Sequence, residues 1–324
     1  MTATTTAPAP NTTLIADLGG TNARFALFGA DKVGPIVRLA VADHASLPAA
    51  IASFLAKAAP AHPPTRAVLA IAGPVDDGRA VFTNADWIAD AQQLGRTFGF
   101  SSVRLVNDFA AQAWALPHLG GGDLFALGGE ASVPGAPMVV LGPGTGLGVA
   151  ALVPTPAGGI VISTEGGHVT LPGTSPREDA IIAVLRAKLG HVSAESVLSG
   201  PGLVHLHDAI ATLDGACHTA RTGPEITAAG LAGSCPVCRS TLDAFCAMLG
   251  MVAGNLALSF GARGGVFVAG GIAPRLVDYL KQSAFRAQFE AKGRFRAYLQ
   301  PIPVHVVLHG DPAFVGLAAI ARAG

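Results

Sequence analysis

Two stretches of the chain share one pattern of apolar and glycine positions. Leu14–Phe28 is an apolar run, a glycine turn and a second apolar run, and Val139–Leu152 repeats that order. When Thr21 is aligned with Thr145, the two copies lie 124 positions apart (145 − 21). Glycine adopts the positive φ angles of tight turns at little cost. The pattern therefore predicts two β-hairpins, one in each of two related α/β halves.

Short apolar runs alternate with helix-like segments in the rest of the chain. The predicted strands are Arg66–Ala72, Val103–Val106, Ile160–Ser163, Gly265–Ala269 and Val304–Leu308. The predicted helices are Phe109–Leu116, Pro176–Leu189, Leu242–Phe260, Pro274–Gln282 and Pro312–Arg322. This alternation is typical of a mixed α/β architecture.

The length of 324 residues suits two lobes better than one domain. Residues 1–13 are mostly Thr, Ala and Pro, and we expect a disordered tail there. We expect residues 14–118 and 309–324 to form a small α/β lobe, with the last helix crossing back to it. Residues 119–308 then form a large α/β lobe.

Charge and composition exclude several classes of function. The chain has 21 basic and 21 acidic side chains, a net charge of +0 and no run of like charges, which argues against a nucleic-acid partner. The opening segment lacks the basic and apolar regions of a signal peptide. Four cysteines are too few and too clustered for a disulfide framework. We therefore expect a cytoplasmic protein.

One segment has the composition of a membrane span. Ala244–Ala262 is apolar, and Gly250 and Gly254 form a small-xxx-small pattern of the kind used between membrane helices. However, Asn255 and Ser259 interrupt it, and it is a lone candidate. We expect a helix buried inside a large lobe, and no membrane association.

The two hairpin turns are candidates for binding phosphate. In the first, the Asp17 carboxylate can face Mg²⁺ or its water shell, Gly19 and Gly20 let backbone N–H groups approach phosphate oxygens, and Thr21 adds a hydroxyl. A plain hairpin with polar turn residues is the alternative. The second turn, Gly142–Gly148, is richer in glycine than a structural turn requires. No helix follows it, as a Rossmann motif would need, and no Gly-Lys-Ser/Thr follows, as a Walker loop would need.

Candidate substrate contacts follow other strands. Asp108 is a candidate general base and Asn107 a candidate hydroxyl ligand, although both also suit a helix cap. Glu165 and His168 form a compact polar pair able to grip adjacent sugar hydroxyls. Glu195 is a third candidate carboxylate, or simply a solvated helix residue.

A short apolar strand in the last third of the chain runs into two consecutive glycines. Gly270 and Gly271 end this strand and suit a flat ligand such as adenine resting against the backbone. A tight strand-to-helix turn explains the glycine pair nearly as well.

From Leu14 to the C-terminus, the order of these motifs resembles the bacterial glucokinase family. That family belongs to the superfamily of hexokinases, actin and heat-shock ATPases. The resemblance implies a two-lobed actin-like/ribonuclease-H-like ATPase fold with a central interlobe cleft, closing over the sugar. It also implies ATP with Mg²⁺, glucose phosphorylated to glucose 6-phosphate in glycolysis, and a homodimer.

The resemblance also implies the site residues. Asp108 is the catalytic base, and the sugar contacts are Asn107, Asp108, Glu165, His168 and Glu195. The residues expected to hold the nucleotide are Ala16, Asp17, Leu18, Gly19, Gly20, Thr21, Asn22, Gly144, Thr145, Gly146, Gly270 and Gly271. Asp17 is also expected to hold Mg²⁺ through water.

Three alternatives remain open from the sequence. One is a sugar kinase for another hexose or with polyphosphate as donor, and another is a sugar sensor without turnover. The third is a related branch of sugar kinases and repressors, which binds zinc through cysteines soon after a Glu-x-Gly-His segment. Val169–Ala180 contains no cysteine. Cys235 and Cys238 are distant and lack a second pair, so their role stays undefined.

Overall fold

The computed structural model describes residues 12–82, 87–156, 158–216 and 220–323. Contacts divide the chain into two compact units. One contains the chain up to His118 together with Asp311 onwards, and the other is Leu119–Gly310. His309 and Gly310 therefore group with the larger unit, whereas the sequence predicted that the small lobe resumes at residue 309.

The structure contains fourteen strands in its described parts. They are β1 (Thr13–Leu18), β2 (Asn22–Gly29), β3 (Lys32–Val33), β4 (Val37–Ala40), β5 (Arg66–Ile71), β6 (Arg79–Val81), β7 (Ile88–Asp90), β8 (Ser102–Asn107), β9 (Leu124–Gly128), β10 (Met138–Pro143), β11 (Leu147–Thr155), β12 (Gly158–Thr164), β13 (Gly265–Val268) and β14 (Val304–Val307).

Eleven α-helices lie in the same described ranges. They are α1 (Leu47–Ala58), α2 (Ala91–Phe98), α3 (Asp108–Ala115), α4 (Pro176–Leu189), α5 (Gly200–Leu213), α6 (Gly223–Leu231), α7 (Pro236–Phe260), α8 (Val277–Gln282), α9 (Phe285–Glu290), α10 (Arg296–Leu299) and α11 (Pro312–Ala323).

The two units repeat one sheet topology. In the first unit the order is β3-β2-β1-β5-β8, with β4 also paired to β2. In the second it is β12-β11-β10-β13-β14-β9. In both sheets the hairpin strand β1 or β10 pairs antiparallel with the next strand and parallel with a later one. This correspondence confirms the two predicted hairpins, although the glycines of their turns (Gly19, Gly20, Gly144 and Gly146) do not have the positive φ angles that the prediction assumed.

Strand β1 lies at the centre of the first unit and faces two cores. Leu14, Ala16 and Leu18 pack into one apolar cluster, while Ile15 packs into another with residues of α3 and α11. A strand covered on both faces loses the usual alternation of apolar and polar positions. Its one charged residue, Asp17, lies on the same face as Ile15 and is buried.

Helix α7 is the core helix of the second unit. It is the one helix in the described ranges that is long and apolar enough to cross a membrane, yet 67% of its most apolar window is buried. A Cβ added at Gly250 would overlap the carbonyl oxygen of Phe285, and one at Gly254 would overlap that of Phe289. The small-xxx-small pattern thus brings α7 close to α9 inside the protein, as expected for a buried helix.

Gly250→Ala is expected to destabilise the second unit by about 1–3 kcal/mol, because the added methyl group has no room beside α9. Gly95→Ala in α2 is the matched control, since its nearest neighbour would lie at an ordinary 3.5 Å. There the better helix propensity of alanine is expected to leave stability equal or up to about 1 kcal/mol higher. Thermal and denaturant unfolding measure both. Equal unfolding midpoints for Gly250→Ala and the parent would contradict the close α7–α9 contact.

Several predicted boundaries need correction. Strand β1 begins at Thr13, which pairs with neighbours on both sides, so the expected tail is too long by that residue; residues 1–11 lie outside the described ranges. Helix α7 begins at Pro236 rather than Leu242, because Cys235 caps it and proline is well suited to the first helical position. The helix predicted from Pro274 is a short 3₁₀ turn followed by α8.

Candidate active site

The candidate residues of the first unit gather at one edge of its sheet. Strands β1, β5 and β8 run parallel, and Leu18, Ile71 and Asn107 lie in register at their carboxyl ends. Adjacent strands are about 4.8 Å apart. The β1–β2 turn and the start of α3 therefore lie about 10 Å apart on the same edge, where open α/β sheets bind ligands.

Asn107 and Asp108 link strand β8 to helix α3. Asn107 Oδ1 accepts hydrogen bonds from the backbone N–H groups of Phe109 (2.9 Å) and Ala110 (3.1 Å), and its Nδ2 donates to the Gly73 carbonyl (3.1 Å). Asn107 is therefore the cap of α3, which was one of the two interpretations left open. Asp108 occupies the first helical position, half-buried, and its Oδ1 accepts from Phe109 N–H at 2.9 Å.

The cap fixes the position of Asp108 through the backbone. Because both the oxygen and the nitrogen of the Asn107 amide are hydrogen-bonded, the strand-to-helix turn has little freedom at this point. The carboxylate of Asp108 is consequently held at the sheet edge by a rigid element. A general base must be held within hydrogen-bond reach of the proton that it accepts, whatever its pKa.

Asp17 sits in an ion cluster that the sequence analysis did not identify. Arg24, opposite Asp17 on β2, contacts the Asp17 carboxylate and also that of Asp311, just before α11. The guanidinium lies 5.9 Å from the centre of the Phe314 ring. Burial raises the pKa of the Asp17 carboxyl, and the neighbouring Arg24 charge opposes that rise.

The remaining residues of the first turn differ in accessibility. Thr21 and Asn22 are exposed, and Gly19 and Gly20 are half-buried. Ala16 and Leu18 are fully buried in a strand paired on both sides. They have no exposed side chain with which to contact a nucleotide, so we assign them a packing role.

The second hairpin turn is held from two sides. The Gly144 carbonyl accepts a hydrogen bond from Gly200 N–H at the start of α5 (2.8 Å). On the other side, the Pro143 carbonyl accepts from Ile272 N–H (3.2 Å). Thr145 at the tip is exposed. The turn is thus fixed at its base while its tip faces solvent.

Gly270 and Gly271 lie beside the second hairpin turn, on the side where Ile272 binds it. Gly270 has a φ of +80°, and a Cβ there would press against Gly142 and Pro143. A Cβ at Gly271 would meet nothing within 4 Å. Gly270 is therefore required by backbone geometry, as the tight-turn interpretation holds, while Gly271 leaves an open backbone beside the turn.

Glu195 links the second hairpin turn to the segment that carries the candidate sugar residues Glu165 and His168. Its Oε2 accepts a hydrogen bond from Leu147 N–H (2.7 Å), directly after the turn, and its own N–H donates to the Gly167 carbonyl (2.8 Å). Any side chain at Gly146 would collide with this carboxylate. Glu195 lies in the turn segment before α5, so the interpretation as a solvated helix residue is wrong.

Glu165 directly precedes a single 3₁₀ turn after β12, and His168 is the last residue of that turn. His168 Nε2 lies 4.0 Å from Glu165 Oε2, and His168 Nδ1 lies 3.9 Å from Glu195 Oε1. Both separations exceed hydrogen-bond length. The side chains of Glu165 and His168 are 63% and 61% exposed. Three polar groups thus converge on one surface of the second unit, suited to binding several hydroxyls.

Neither unit contains a ready-made metal cage in its described residues. No group of three or more His, Cys, Asp or Glu side chains is arranged there to hold a metal ion. Mg²⁺ commonly binds through one or two carboxylates with the substrate phosphates and water. The single Asp17 carboxylate beside the first turn fits that mode of binding.

Comparison with known proteins establishes the family. The model of the glucokinase family matches residues 14–324. The chain belongs to the glucokinase family. A glucokinase of Paramagnetospirillum magneticum is 47% identical over 310 residues, covering 95% of this chain and 96% of that protein. A glucokinase of Neisseria meningitidis is 45% identical over 309 residues, covering 94% and 93%.

Solved structures agree with the fold of this glucokinase family member. The crystal structure of a glucokinase from an Antarctic psychrotroph is 36% identical with a TM-score of 0.89, covering 97% of this chain and 99% of that one. A Streptomyces griseus glucokinase of the ROK family, solved with glucose and AMPPNP, is 22% identical with a TM-score of 0.66, covering 97% and 100%. The predicted family, the two-lobed actin-like fold and the enzyme class are confirmed.

Two residues at the site were not predicted from the sequence. They are Arg24 and Asp311. The pairing of Arg24 with Asp17 could have been predicted by counting residues outward from the turn on both strands. The length of a hairpin turn fixes which residues of its two strands are partners. No comparable local signal indicates Asp311, which is 287 positions from Arg24.

Proposed function

We propose that this chain transfers the terminal phosphoryl group of ATP to the 6-hydroxyl of D-glucose, yielding glucose 6-phosphate and ADP. The observation that carries the proposal is the shared sheet edge of the first unit. It presents a carboxylate on a capped helix, Asp108, beside a glycine turn of the kind that accommodates phosphate.

Asp108 is proposed as the general base. As the 6-hydroxyl oxygen attacks the γ-phosphorus, its proton passes to the Asp108 carboxylate, and the bond from phosphorus to the β,γ-bridging oxygen breaks to release ADP. Asn107 Nδ2 has two N–H bonds, one of which goes to Gly73. The other is proposed to donate to a neighbouring sugar hydroxyl.

The second unit is proposed to hold the other sugar hydroxyls. Glu165 and Glu195 provide carboxylate acceptors, and His168 provides ring nitrogens 4.0 Å and 3.9 Å from them. A sugar hydroxyl could bridge groups at this separation. Because Glu195 also binds Leu147 N–H, the sugar and phosphate contacts of this unit share one carboxylate. We propose that this link holds the phosphate turn in a fixed position when the sugar is bound.

Backbone groups at both turns are proposed to hold the phosphates. Gly20, Thr21 and the segment from Gly144 to Gly146 present N–H groups and hydroxyls with few side chains in the way. The open backbone at Gly271 is proposed to lie against the adenine.

Mg²⁺ is proposed as the cofactor, with Asp17 holding it through water. The ion neutralises charge on the transferring phosphoryl group and its leaving oxygens. Arg24 contacts Oδ2 of Asp17 and so fixes the orientation of that carboxylate.

A panel of hexoses and phosphoryl donors tests the function. With ATP, Mg²⁺ and glucose, a coupled assay is expected to give the highest kcat/KM of the panel. Faster turnover with polyphosphate would reassign the donor, and faster turnover with another hexose would reassign the acceptor. Tight glucose binding without ADP release would indicate a sensor and contradict the proposal.

Glu165→Gln and His168→Ala are expected to raise the KM for glucose about 10–100-fold, with a smaller change in kcat. Glu165→Gln removes the charge that strengthens a hydrogen bond, and His168→Ala removes the bonding group itself; a hydrogen bond to a charged group is worth about 1.5–3 kcal/mol. Steady-state kinetics at saturating ATP measure the effect. His62→Ala is the control, since that imidazole is exposed and belongs to the first unit. An unchanged KM in both test variants would remove Glu165 and His168 from the sugar site.

Three further features are proposed. Use of ATP favours a cytoplasmic location, where that nucleotide is available. Formation of glucose 6-phosphate favours a role in glycolysis. The homodimer rests on the family resemblance, and size-exclusion chromatography with light scattering tests it.

A further inference from the structure

A Cys-x-x-Cys motif, which the phosphoryl-transfer chemistry leaves without a role, lies at the start of the longest helix. Cys235 is the N-cap of α7, a helix of 25 residues, and Cys238 is in its first turn. Cys235 has an extended backbone (φ −139°, ψ 115°), and its Sγ accepts a hydrogen bond from Cys238 N–H at 3.4 Å. The two thiol groups are also close enough to hydrogen-bond to each other.

The two thiols differ in accessibility. Cys235 is partly exposed, whereas Cys238 is 0% exposed. This asymmetry is typical of dithiol redox sites, where an accessible cysteine reacts with an external disulfide and a shielded cysteine then resolves the product. Two cysteines with a purely packing role would both be expected to lie inside the apolar core.

The surroundings of the pair favour a thiolate at Cys235. The hydrogen bonds from the Cys238 N–H and thiol lower the pKa of Cys235, and the Arg221 guanidinium contributes in the same direction. Burial raises the pKa of Cys238 to about 11. Arg221 Nε is itself buried, with no hydrogen-bond partner among the described residues. A cation is thus held near the pair without a competing acceptor at that atom.

We propose that Cys235 and Cys238 form a dithiol–disulfide site that reacts with low-molecular-weight disulfides. The Cys235 thiolate attacks one sulfur of the external disulfide R–S–S–R, forming Cys235–S–S–R and releasing RS⁻. Cys238 then loses its proton to solvent, and its thiolate attacks the Cys235 sulfur, releasing the second RS⁻. Two electrons pass from the two cysteines to the external disulfide, which becomes two thiols.

A structural metal site explains the motif less well. Zinc in such sites takes four ligands. The pair has no third His, Cys, Asp or Glu in position to complete a metal site within the described residues. The proposal concerns redox chemistry only and is independent of the phosphoryl-transfer function.

The test uses the full-length chain with Cys217→Ser as the parent, because Cys217 lies outside the described residues. The probe is dithiobisnitrobenzoate, an aromatic disulfide that releases a coloured thiolate. We expect about two equivalents of thiolate per folded chain, with no aryl group retained. Cys246 is expected to stay unreactive, because it is 0% exposed and burial raises its pKa to about 12.

Trypsin digestion separates the Cys235–Cys238 pair from Cys246. Cleavage after Arg221 and Arg239 yields residues 222–239, which contain Cys235 and Cys238 alone. After reaction, this peptide is expected to be lighter by two hydrogens, as an internal disulfide requires. Reduction restores its mass. Cys246 falls in residues 240–263 and serves as the internal reference.

Single variants separate the two roles. Cys235→Ser keeps the helix cap, because serine is a preferred N-cap residue, and it is expected to react at least about 10-fold more slowly than the parent. Cys238→Ser and Cys238→Ala are expected to stop at the mixed disulfide, with about one equivalent of thiolate released. Arg221→Gln is expected to slow the first step several-fold, and Arg221→Lys to retain most of the rate.

The same measurements can overturn the proposal. Parental reactivity in Cys235→Ser would show that Cys235 is not the attacking group. A stable aryl adduct on the parent would show that Cys238 does not resolve it, and absence of any reaction in the folded chain would exclude the site altogether. Glucose phosphorylation by the untreated parent, measured in parallel, reports on the kinase function separately.

Discussion

Asp108→Asn is expected to lower kcat by about 10²–10⁴-fold while glucose binding changes little. The amide keeps the size of the side chain and can still accept the hydrogen bond from Phe109 N–H, which is 2.9 Å from Oδ1. It cannot accept the proton of the 6-hydroxyl, and loss of a general base has a cost of this size. Coupled kinetics give kcat, and titration calorimetry gives the dissociation constant for glucose.

Asp90→Asn is the matched control for this change. Asp90 caps α2 in the same unit, its Oδ1 accepting from Gln93 N–H at 2.8 Å, and asparagine caps a helix as well as aspartate does. Its kcat is therefore expected to equal that of the parent. An Asp108→Asn enzyme that retained a tenth of parental turnover would show that another group accepts the proton. Equal losses in both variants would point to a folding defect.

Local patterns in the sequence were sufficient to predict the hairpins and most of the regular elements. The glycine turn at residues 19–21 interrupts two apolar runs, and both runs are strands. Helix α4 has the predicted bounds because Ser175 caps its start and Pro176 takes the first position. Helix α7 was predicted six residues too short, because its first turns are polar and a cysteine is an unusual cap.

Long-range contacts at the site could not be predicted in the same way. Glu195 binds Leu147 across 48 positions, and Arg24 binds Asp311 across 287. Such pairs are set by how strands and turns pack, which periodicity does not encode. The residue types at Asp108, Glu165 and His168 were sufficient to predict roles for them from the sequence, and those roles remain predictions. Their partners, and the packing role of Ala16 and Leu18, required the structure.

Arg24→Met is expected to destabilise the first unit by about 3–4 kcal/mol at pH 7. Asp17 is 8% exposed, and removal of one partner from a buried ion pair typically costs about 3–5 kcal/mol. Arg24 is a quarter exposed, which favours the lower end of that range. Asp17 can also escape the penalty by taking up a proton, which at pH 7 costs about 4 kcal/mol for a carboxyl of ordinary pKa and sets a ceiling.

The pH dependence and a double variant identify the cause of this loss. Burial already raises the pKa of Asp17, and removal of Arg24 is expected to raise it further. An acid whose pKa is higher in the folded state destabilises the fold above that pKa, and the penalty disappears as pH falls towards its unfolded value. The difference in unfolding free energy between Arg24→Met and the parent should therefore shrink between pH 7 and pH 5.

Asp17→Asn combined with Arg24→Met should recover most of the lost stability, because it removes the unpaired charge while keeping the shape of the side chain. Arg24→Lys keeps the cation, so its unfolding free energy should lie between those of Arg24→Met and the parent. It should not reach the parent's value, because lysine cannot bridge two carboxylates with a planar fork. Denaturant unfolding of all four proteins in metal-free buffer measures these values. A double variant as unstable as Arg24→Met would assign the loss to the Asp311 contact and the packing on Phe314, rather than to the buried charge of Asp17.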